Sequence, residues 1–216
     1  MDFIVPNWPA PPNVQARVTL REMGDMASEE GRDELGGLLL HEPVWLRQVH
    51  GTAVIDADSP PPSPTADAAF ARKRGSVCAV MVADCMPVFF TDGTQVAVAH
   101  AGWRGLAAGV LEATLEKFDA DKVICWLGPA IGPKAYEVGE DVRAAFSLSG
   151  DESAFTATRP GHWLLDLYAI ARKRLDGVKG IYGGDFCTFT DSKRFFSFRR
   201  DKSKERMAAL IWVTSA

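Results

Sequence analysis

The chain is expected to adopt an α+β layered fold built on mixed sheets. Three observations predict this: apolar runs of strand length outnumber stretches with helical spacing, the two kinds alternate only in part, and an Asp-Gly pair between apolar runs marks an antiparallel hairpin near mid-chain. Strict alternation would instead point to a parallel sheet wrapped by helices.

From the N-terminus, the first dozen residues hold four prolines, and Pro60-Pro61-Pro62-Ser63-Pro64 forms a second rigid stretch, so both read as extended surface connectors. Ser28 to Leu40 has room for a short helix, weakened by Gly31, Gly36 and Gly37. Val77 to Val82 is a continuous apolar strand that stops at Ala83-Asp84-Cys85, ahead of Pro87. Val88-Phe89-Phe90 and Gln95 to Ala99 flank Thr91-Asp92-Gly93-Thr94 as a hairpin. With the turn centred near Asp92-Gly93, Cys85 and His100 are expected as cross-strand neighbours.

After the hairpin, Gly102-Trp103-Arg104-Gly105 leads into Leu106, Val110, Leu111, Thr114, Leu115 and Phe118, the stripe of one helix laid on a sheet. Val123 to Leu127 reads as a buried strand, stopped by Gly128-Pro129 and Gly132-Pro133. Val138 to Leu148 and Leu164 to Leu175 read as helices, the second with Arg172-Lys173-Arg174 in its last turn and Gly177 as its stop. Val178 to Tyr182, Phe186 to Phe189, Phe195 to Phe198 and Met207 to Val213 complete the strand candidates.

At 216 residues the chain suits one domain over residues 1–216, and 47% hydrophobic with 24% charged residues is ordinary for a globular enzyme. No apolar stretch approaches the ~18 residues of a membrane span. A net charge of −4 argues against nucleic acid as a partner, because phosphate backbones need a positive surface, and favours a small-molecule substrate. No basic segment followed by a long apolar one opens the chain, so a cytoplasmic protein is expected. Cys78, Cys125 and Cys187 lie in or beside apolar stretches and read as buried thiols rather than a disulfide framework.

His50, Cys85 and His100 each sit at the edge of an apolar run. Two imidazoles and one thiolate are a zinc-type donor set with a position left over, and catalytic zinc sites keep such a position for water or substrate. The plainer alternative makes Cys85 a small buried hydrophobe and both histidines ordinary hydrogen-bonded residues, since no local Cys-x-x-Cys or His-x-x-x-His spacing is present.

Several blocks carry a clear family resemblance. They are Trp45-Leu46-Arg47-Gln48-Val49-His50-Gly51, Ala83-Asp84-Cys85-Met86-Pro87-Val88, Ala99-His100-Ala101-Gly102-Trp103-Arg104-Gly105, Leu127 to Gly132, Tyr136 to Gly139 and Phe195 to Asp201. Together they resemble the YfiH family, also named multicopper polyphenol oxidoreductases or laccase-domain proteins, nearly end to end. The resemblance implies a layered α/β sandwich akin to the catalytic domain of cytotoxic necrotizing factor. It implies metal ligands at His50, Cys85 and His100, and phosphorolysis of adenosine, inosine and methylthioadenosine, with adenosine deamination alongside. Two departures stand out: Val18 to Met26 lacks the family's Thr-Arg-x-Gly-Gly-Val-Ser and Asn-Leu-Gly blocks, and Lys204-Glu205-Arg206 replaces Thr-Gly-Arg.

Phosphorolysis needs an anion site, and Arg104, four residues after His100 at a glycine-flanked helix start, is the first candidate, weighed against a structural salt bridge. Arg47, Arg199, Arg200 and Arg206 are weaker ones. Deamination needs a carboxylate to carry a proton; Asp84, beside Cys85, is the candidate, weighed against a turn-capping role. Cys85, Asp84 and Arg104 are thus the catalytic candidates. Asp67 reads as a loop cap before a site acid, and Trp103 as a packing residue before a purine stacker. The cofactor expected is zinc (Zn), with copper (Cu) as the other metal such a site takes. A multicopper oxidase surrounds its copper with many imidazoles, whereas this chain has only His41, His50, His100 and His162. A hydrolase or editing enzyme on cell-envelope precursors, a copper-dependent polyphenol oxidase and a non-catalytic metal-binding protein are the alternatives.

Overall fold

The structure is a computed structural model that describes residues 3–37, 39, 41–147 and 150–214. In chain order its strands and helices are β1 (Val14–Val18), α1 (Glu29–Gly36), β2 (Pro43–Val44), β3 (Val54–Asp56), β4 (Ala68–Ala71), β5 (Val77–Val82), β6 (Met86–Thr91) and β7 (Val96–Ala101). There follow α2 (Trp103–Ala108), α3 (Val110–Leu115), β8 (Ile124–Leu127), β9 (Glu137–Gly139), α4 (Glu140–Ala144), β10 (Phe155–Arg159), β11 (His162–Leu165), α5 (Leu167–Arg174), β12 (Gly180–Gly183), α6 (Phe198–Asp201) and β13 (Met207–Val213).

Two mixed sheets form the body, a four-stranded one in the order β1-β13-β5-β2 and a six-stranded one in the order β12-β8-β6-β7-β4-β3. Side-chain alternation decides which residues meet between them. Val14, Ala16 and Val18 of β1, Cys78, Val80 and Val82 of β5, Ala209 and Ile211 of β13, and Phe89, Val96 and Val98 of the six-stranded sheet share one core. On the outer face of the six-stranded sheet, Met86, Val88, Phe90, Ala97 and Ala99 pack under Leu106, Val110, Leu111 and Ile170 of α2, α3 and α5. On the outer face of the four-stranded sheet, Val77, Ala79, Ala208 and Leu210 meet Leu35 of α1 with Met23 and Met26. The order of layers is therefore α1, sheet, sheet, helices, which explains why β5, β6 and β7 read as unbroken apolar runs. A small antiparallel sheet, β10-β11-β9, lies apart from these two.

The link 83–85 joins β5 to β6 and so carries the chain from one body sheet to the other. The expected hairpin is β6–β7, but its register pairs Pro87 with His100 and Met86 with Ala101. Cys85 therefore lies in the link, before the strand, rather than opposite His100. The offset comes from the turn: Asp92 Oδ1 accepts the amides of Thr94 and Gln95, holding a longer loop between Thr91 and Val96 than the Asp-Gly pair alone implies. Pro87 is tolerated inside β6 because β8 ends at Leu127, paired with Val88, and Pro87 needs only its carbonyl, which accepts the Gly128 amide.

The helix expected from Leu106 to Phe118 is two helices, broken where Gly109 turns left-handed at φ 97°. The expected helix Val138 to Leu148 starts only at Glu140, because Val138 pairs with Trp163 in β9–β11; Leu148 lies outside the described residues. Likewise Leu164 and Leu165 belong to β11, and α5 begins after Asp166, whose side chain accepts the Ala169 amide. The helix expected over Ser28 to Leu40 runs from Glu29 to Gly36, capped by Ser28 accepting from Gly31; Leu38 and Leu40 lie outside the described residues.

Phe186 to Phe189 and Phe195 to Phe198 are not strands. Apart from an isolated bridge between Ala130 and Cys187, they join no ladder, and three of their carbonyls bond to one side chain: Arg200 Nη1 donates to Thr188 O (2.7 Å) and Phe189 O (2.9 Å), and Nη2 to Phe195 O (2.8 Å). Phe186 and Phe195 then serve as plugs in an aromatic row with Trp126 and Phe89. No described helix is long and apolar enough to cross a membrane.

Candidate metal centre

His50 arrives on the loop that leaves β2. Gln48 anchors that loop by imitating a strand: its side chain donates to Met81 O (2.8 Å) and accepts the Met81 amide (2.7 Å), extending the sheet alongside β5. His50 itself has φ 60°, a left-handed conformation that a non-glycine residue keeps only when its surroundings impose it. The imposing group is the buried Asp67, whose carboxylate accepts the amides of Val49 (3.1 Å), His50 (2.9 Å) and Gly51 (2.7 Å).

Cys85 follows Asp84, which has φ 87°. Both oxygens of Asp84 are engaged: Oδ1 accepts Thr188 Oγ1–H at 2.7 Å and Oδ2 the Arg199 amide at 2.6 Å, while its carbonyl accepts the Ile131 amide. The carboxylate thus fastens the link 83–85 both to the loop before α6, through Thr188, and to α6 itself, through Arg199. His100, buried near the end of β7, directs Nδ1 to Asp67 Oδ1 at 2.9 Å.

These elements bring His50, Cys85 and His100 together, with donor atoms all within 4.8 Å of one another. Cys85 Sγ lies 3.8 Å from His50 Nε2, and the two imidazole centroids are 4.8 Å apart at 68°. Among the described residues no other group of histidines, cysteines and carboxylates converges in this way. The close approach requires Gly102, since a Cβ there would fall 2.7 Å from Cys85 Sγ and 3.2 Å from His50 Cδ2.

Burial by itself pushes the Cys85 thiol up, but the adjacent His100 and His50 imidazoles outweigh it and bring the thiol down to about 6. Burial likewise pushes His100 down, and Cys85 and Asp67 more than reverse this. A thiol readily ionised between two imidazoles fits a divalent cation of the zinc type, which takes thiolate and imidazole donors. By contrast, burial drives the Cys78 and Cys125 thiols up. Cys187, expected to be buried, is only half-buried and accepts the Gly132 amide on its sulfur (3.2 Å).

Around the trio, Arg104 is exposed, its guanidinium carbon 4.3 Å from the centroid of the half-buried Trp103 ring, and among the described residues it makes no ion pair. Arg199 lies over Tyr136 (5.0 Å) and donates to Glu137 O (2.7 Å). Burial raises the Tyr136 hydroxyl, and the Cys85 thiolate adds to this while Arg199 and Arg104 oppose it, so all four groups share one neighbourhood. Arg47 bonds Thr65, Arg200 holds the carbonyls named above, and Arg206 bonds the carbonyls of Ser203 and Glu205, all of them structural tasks. From the sequence alone Asp67 reads first as a loop cap, and Tyr136 stands out only as part of the Tyr136 to Gly139 block. The signal for Asp67 was a lone carboxylate within Ala66-Asp67-Ala68-Ala69, a run otherwise suited to burial.

Residues 28–214 match the family described as multi-copper polyphenol oxidoreductase laccase. The chain is also 45% identical to the purine nucleoside phosphorylase YfiH of Escherichia coli, over 98% of each chain. It belongs to the YfiH family. A purine nucleoside phosphorylase of Pseudomonas aeruginosa is similarly 45% identical over 98% of each chain. A Neisseria meningitidis protein of known structure superposes on the whole YfiH-family chain with a TM-score of 0.95 at 39% identity, covering 100% of both. The Escherichia coli alignment runs over 239 positions against 216 residues here, so that relative carries residues this chain lacks. Of the four histidines only two join the cluster: His41 packs on Gly75 and His162 bonds Pro160 O. That number suits a single ion and not a set of coppers.

Proposed function

We propose that this chain is a zinc-dependent purine nucleoside phosphorylase, converting adenosine, inosine or methylthioadenosine and phosphate to the free base and the (methylthio)ribose 1-phosphate. The convergence of His50, Cys85 and His100 on one point carries this reading, with support from the names of relatives that match over nearly their whole length. His50, Cys85 and His100 would hold the cation, which when bound supplies Lewis-acid charge stabilisation.

In this reading a phosphate oxygen attacks C1′ as the bond from C1′ to the purine nitrogen breaks, and the departing base takes up a proton. Arg104 and Arg199, neither of which has a carboxylate partner among the described residues, hold the phosphate charge. Tyr136 keeps its proton at neutral pH, and we assign it as the hydrogen-bond donor to the leaving base. Trp103 offers an aromatic face beside Arg104. The occupied oxygens of Asp84 weigh against its use as a proton carrier for deamination and favour a positioning role.

The test is an assay of zinc-loaded protein on adenosine with and without phosphate, with adenine and inosine separated by chromatography. Phosphate-dependent adenine that vanishes in His50→Ala and Cys85→Ala supports the proposal. Wild-type rates in both variants reject it, and phosphate-independent inosine would mark a deaminase instead.

A further inference from the structure

The carboxylate of Asp67 divides its bonds between two of the three donors. Oδ1 accepts both the His50 amide and His100 Nδ1–H, each at 2.9 Å, while Oδ2 accepts the amides of Val49 at 3.1 Å and Gly51 at 2.7 Å. Its own carbonyl accepts the His100 amide at 2.7 Å. Asp67 is fully buried, and an unpaired carboxylate there would cost several kcal/mol, so the four donors and the carboxylate fix one another.

Two consequences follow for the donors. A histidine that binds a cation does so as neutral imidazole, through the nitrogen that does not carry the proton. With Nδ1–H given to Asp67, Nε2 of His100 is the free lone pair. The same carboxylate folds 49–51 into a turn of converging amides and keeps His50 left-handed, with its Nε2 beside Cys85 Sγ.

Resting on the metal reading above, we propose that Asp67 is the positioning residue of the centre: one carboxylate sets the tautomer and ring orientation of His100 and aims His50, so that the donors are assembled before the cation arrives. Such partners of metal-bound histidines typically contribute 10- to 100-fold in metal affinity. A plain loop cap would not. Asp58 supplies the contrast within this chain, since its carboxylate also accepts two successive amides, those of Arg72 and Lys73, and among the described residues is not part of the donor group.

The experiment measures zinc affinity by competition with a chromophoric chelator for wild type, Asp67→Asn, Asp67→Ala and Asp58→Asn, with cobalt(II) spectra of each. The result expected is affinity weakened about 10- to 100-fold in both Asp67 variants, with an altered thiolate-to-cobalt absorption, and wild-type affinity and spectrum in Asp58→Asn. Folded Asp67 variants with wild-type affinity and spectrum would overturn the proposal while leaving the metal reading intact. A wild-type protein that takes up no zinc would remove both. If neither Asp67 variant folds, ¹⁵N-histidine spectra of zinc-loaded wild type decide: His100 protonated at Nδ1 supports the proposal, and His100 metallated at Nδ1 overturns it.

Discussion

Gly102→Ala is the sharpest perturbation of the donor geometry. Gly102 has φ −79° and ψ 170°, ordinary extended backbone that alanine adopts without strain, so the effect is one of space alone. The new Cβ would stand 2.7 Å from Cys85 Sγ, roughly 0.7 Å inside the shortest ordinary contact, with His50 Cδ2 also close at 3.2 Å. Neither neighbour is the loose end of a long side chain: Cys85 is held by the link 83–85 and His50 by Asp67. Overpacking of this kind costs about 1–3 kcal/mol. If the metal-binding arrangement bears that cost, zinc affinity falls ~5- to ~140-fold. Chelator competition on the purified variant measures it, with circular dichroism confirming the fold. Wild-type affinity in a folded Gly102→Ala protein would show that the donors do not need their close packing, and the steric reasoning would fail.

Other expectations follow from the same contacts. Tyr168→Phe removes the hydroxyl that accepts the Ala130 amide (2.9 Å) and bonds the carbonyls of Phe186 and Gly128, so chemical denaturation should show a loss of about 1–3 kcal/mol. Arg104→Ala should lower phosphate-dependent kcat/KM about 10- to 150-fold, matching the ~1.5–3 kcal/mol of a charged hydrogen bond, with phosphate saturation kinetics as the measurement. Burial raises the Asp67 carboxyl, but the His100 imidazole and the amides of Gly51 and Val49 reverse this and hold it below 3.8. Its stabilisation is therefore present at neutral pH and is lost only as pH falls below about 4. Thermal melts across pH 2–6 should show a shallower acid limb in Asp67→Asn than in wild type.

The parts of the fold that could be read in the sequence are those where one local pattern settles the matter. Val77 to Val82, the hairpin strands, Val123 to Leu127 and Met207 to Val213 are strands because they are covered on both faces, and that coverage leaves an unbroken apolar run. Phe186 and Phe195 leave the same trace in the sequence for a different reason: they fill the core from a loop, three of whose carbonyls are taken by the Arg200 side chain, a bond that hydropathy does not register. β9 and β11 overlap stretches that have helical spacing, and β10, exposed from Thr156 to Arg159, leaves no apolar run to read. At the candidate site, the donor types identified the trio, but the hairpin register was set by hydrogen bonds of Asp92 that a count of residues does not include. Asp67 reads as an ordinary loop cap because the four donors to its carboxylate meet only in space.

The three donors come from separate elements, although Asp67 ties the His50 turn to the sheet that carries His100. His50 follows a strand of the four-stranded sheet, His100 belongs to the six-stranded sheet, and Cys85 rides the crossing between them. The site therefore works as a gauge of how the two sheets are seated. A substitution at Phe89 or Val80, in the core between the sheets, that let one layer slip on the other would be felt as a wider bite between nitrogen and sulfur. Remodelling of peripheral loops, by contrast, would leave that spacing untouched.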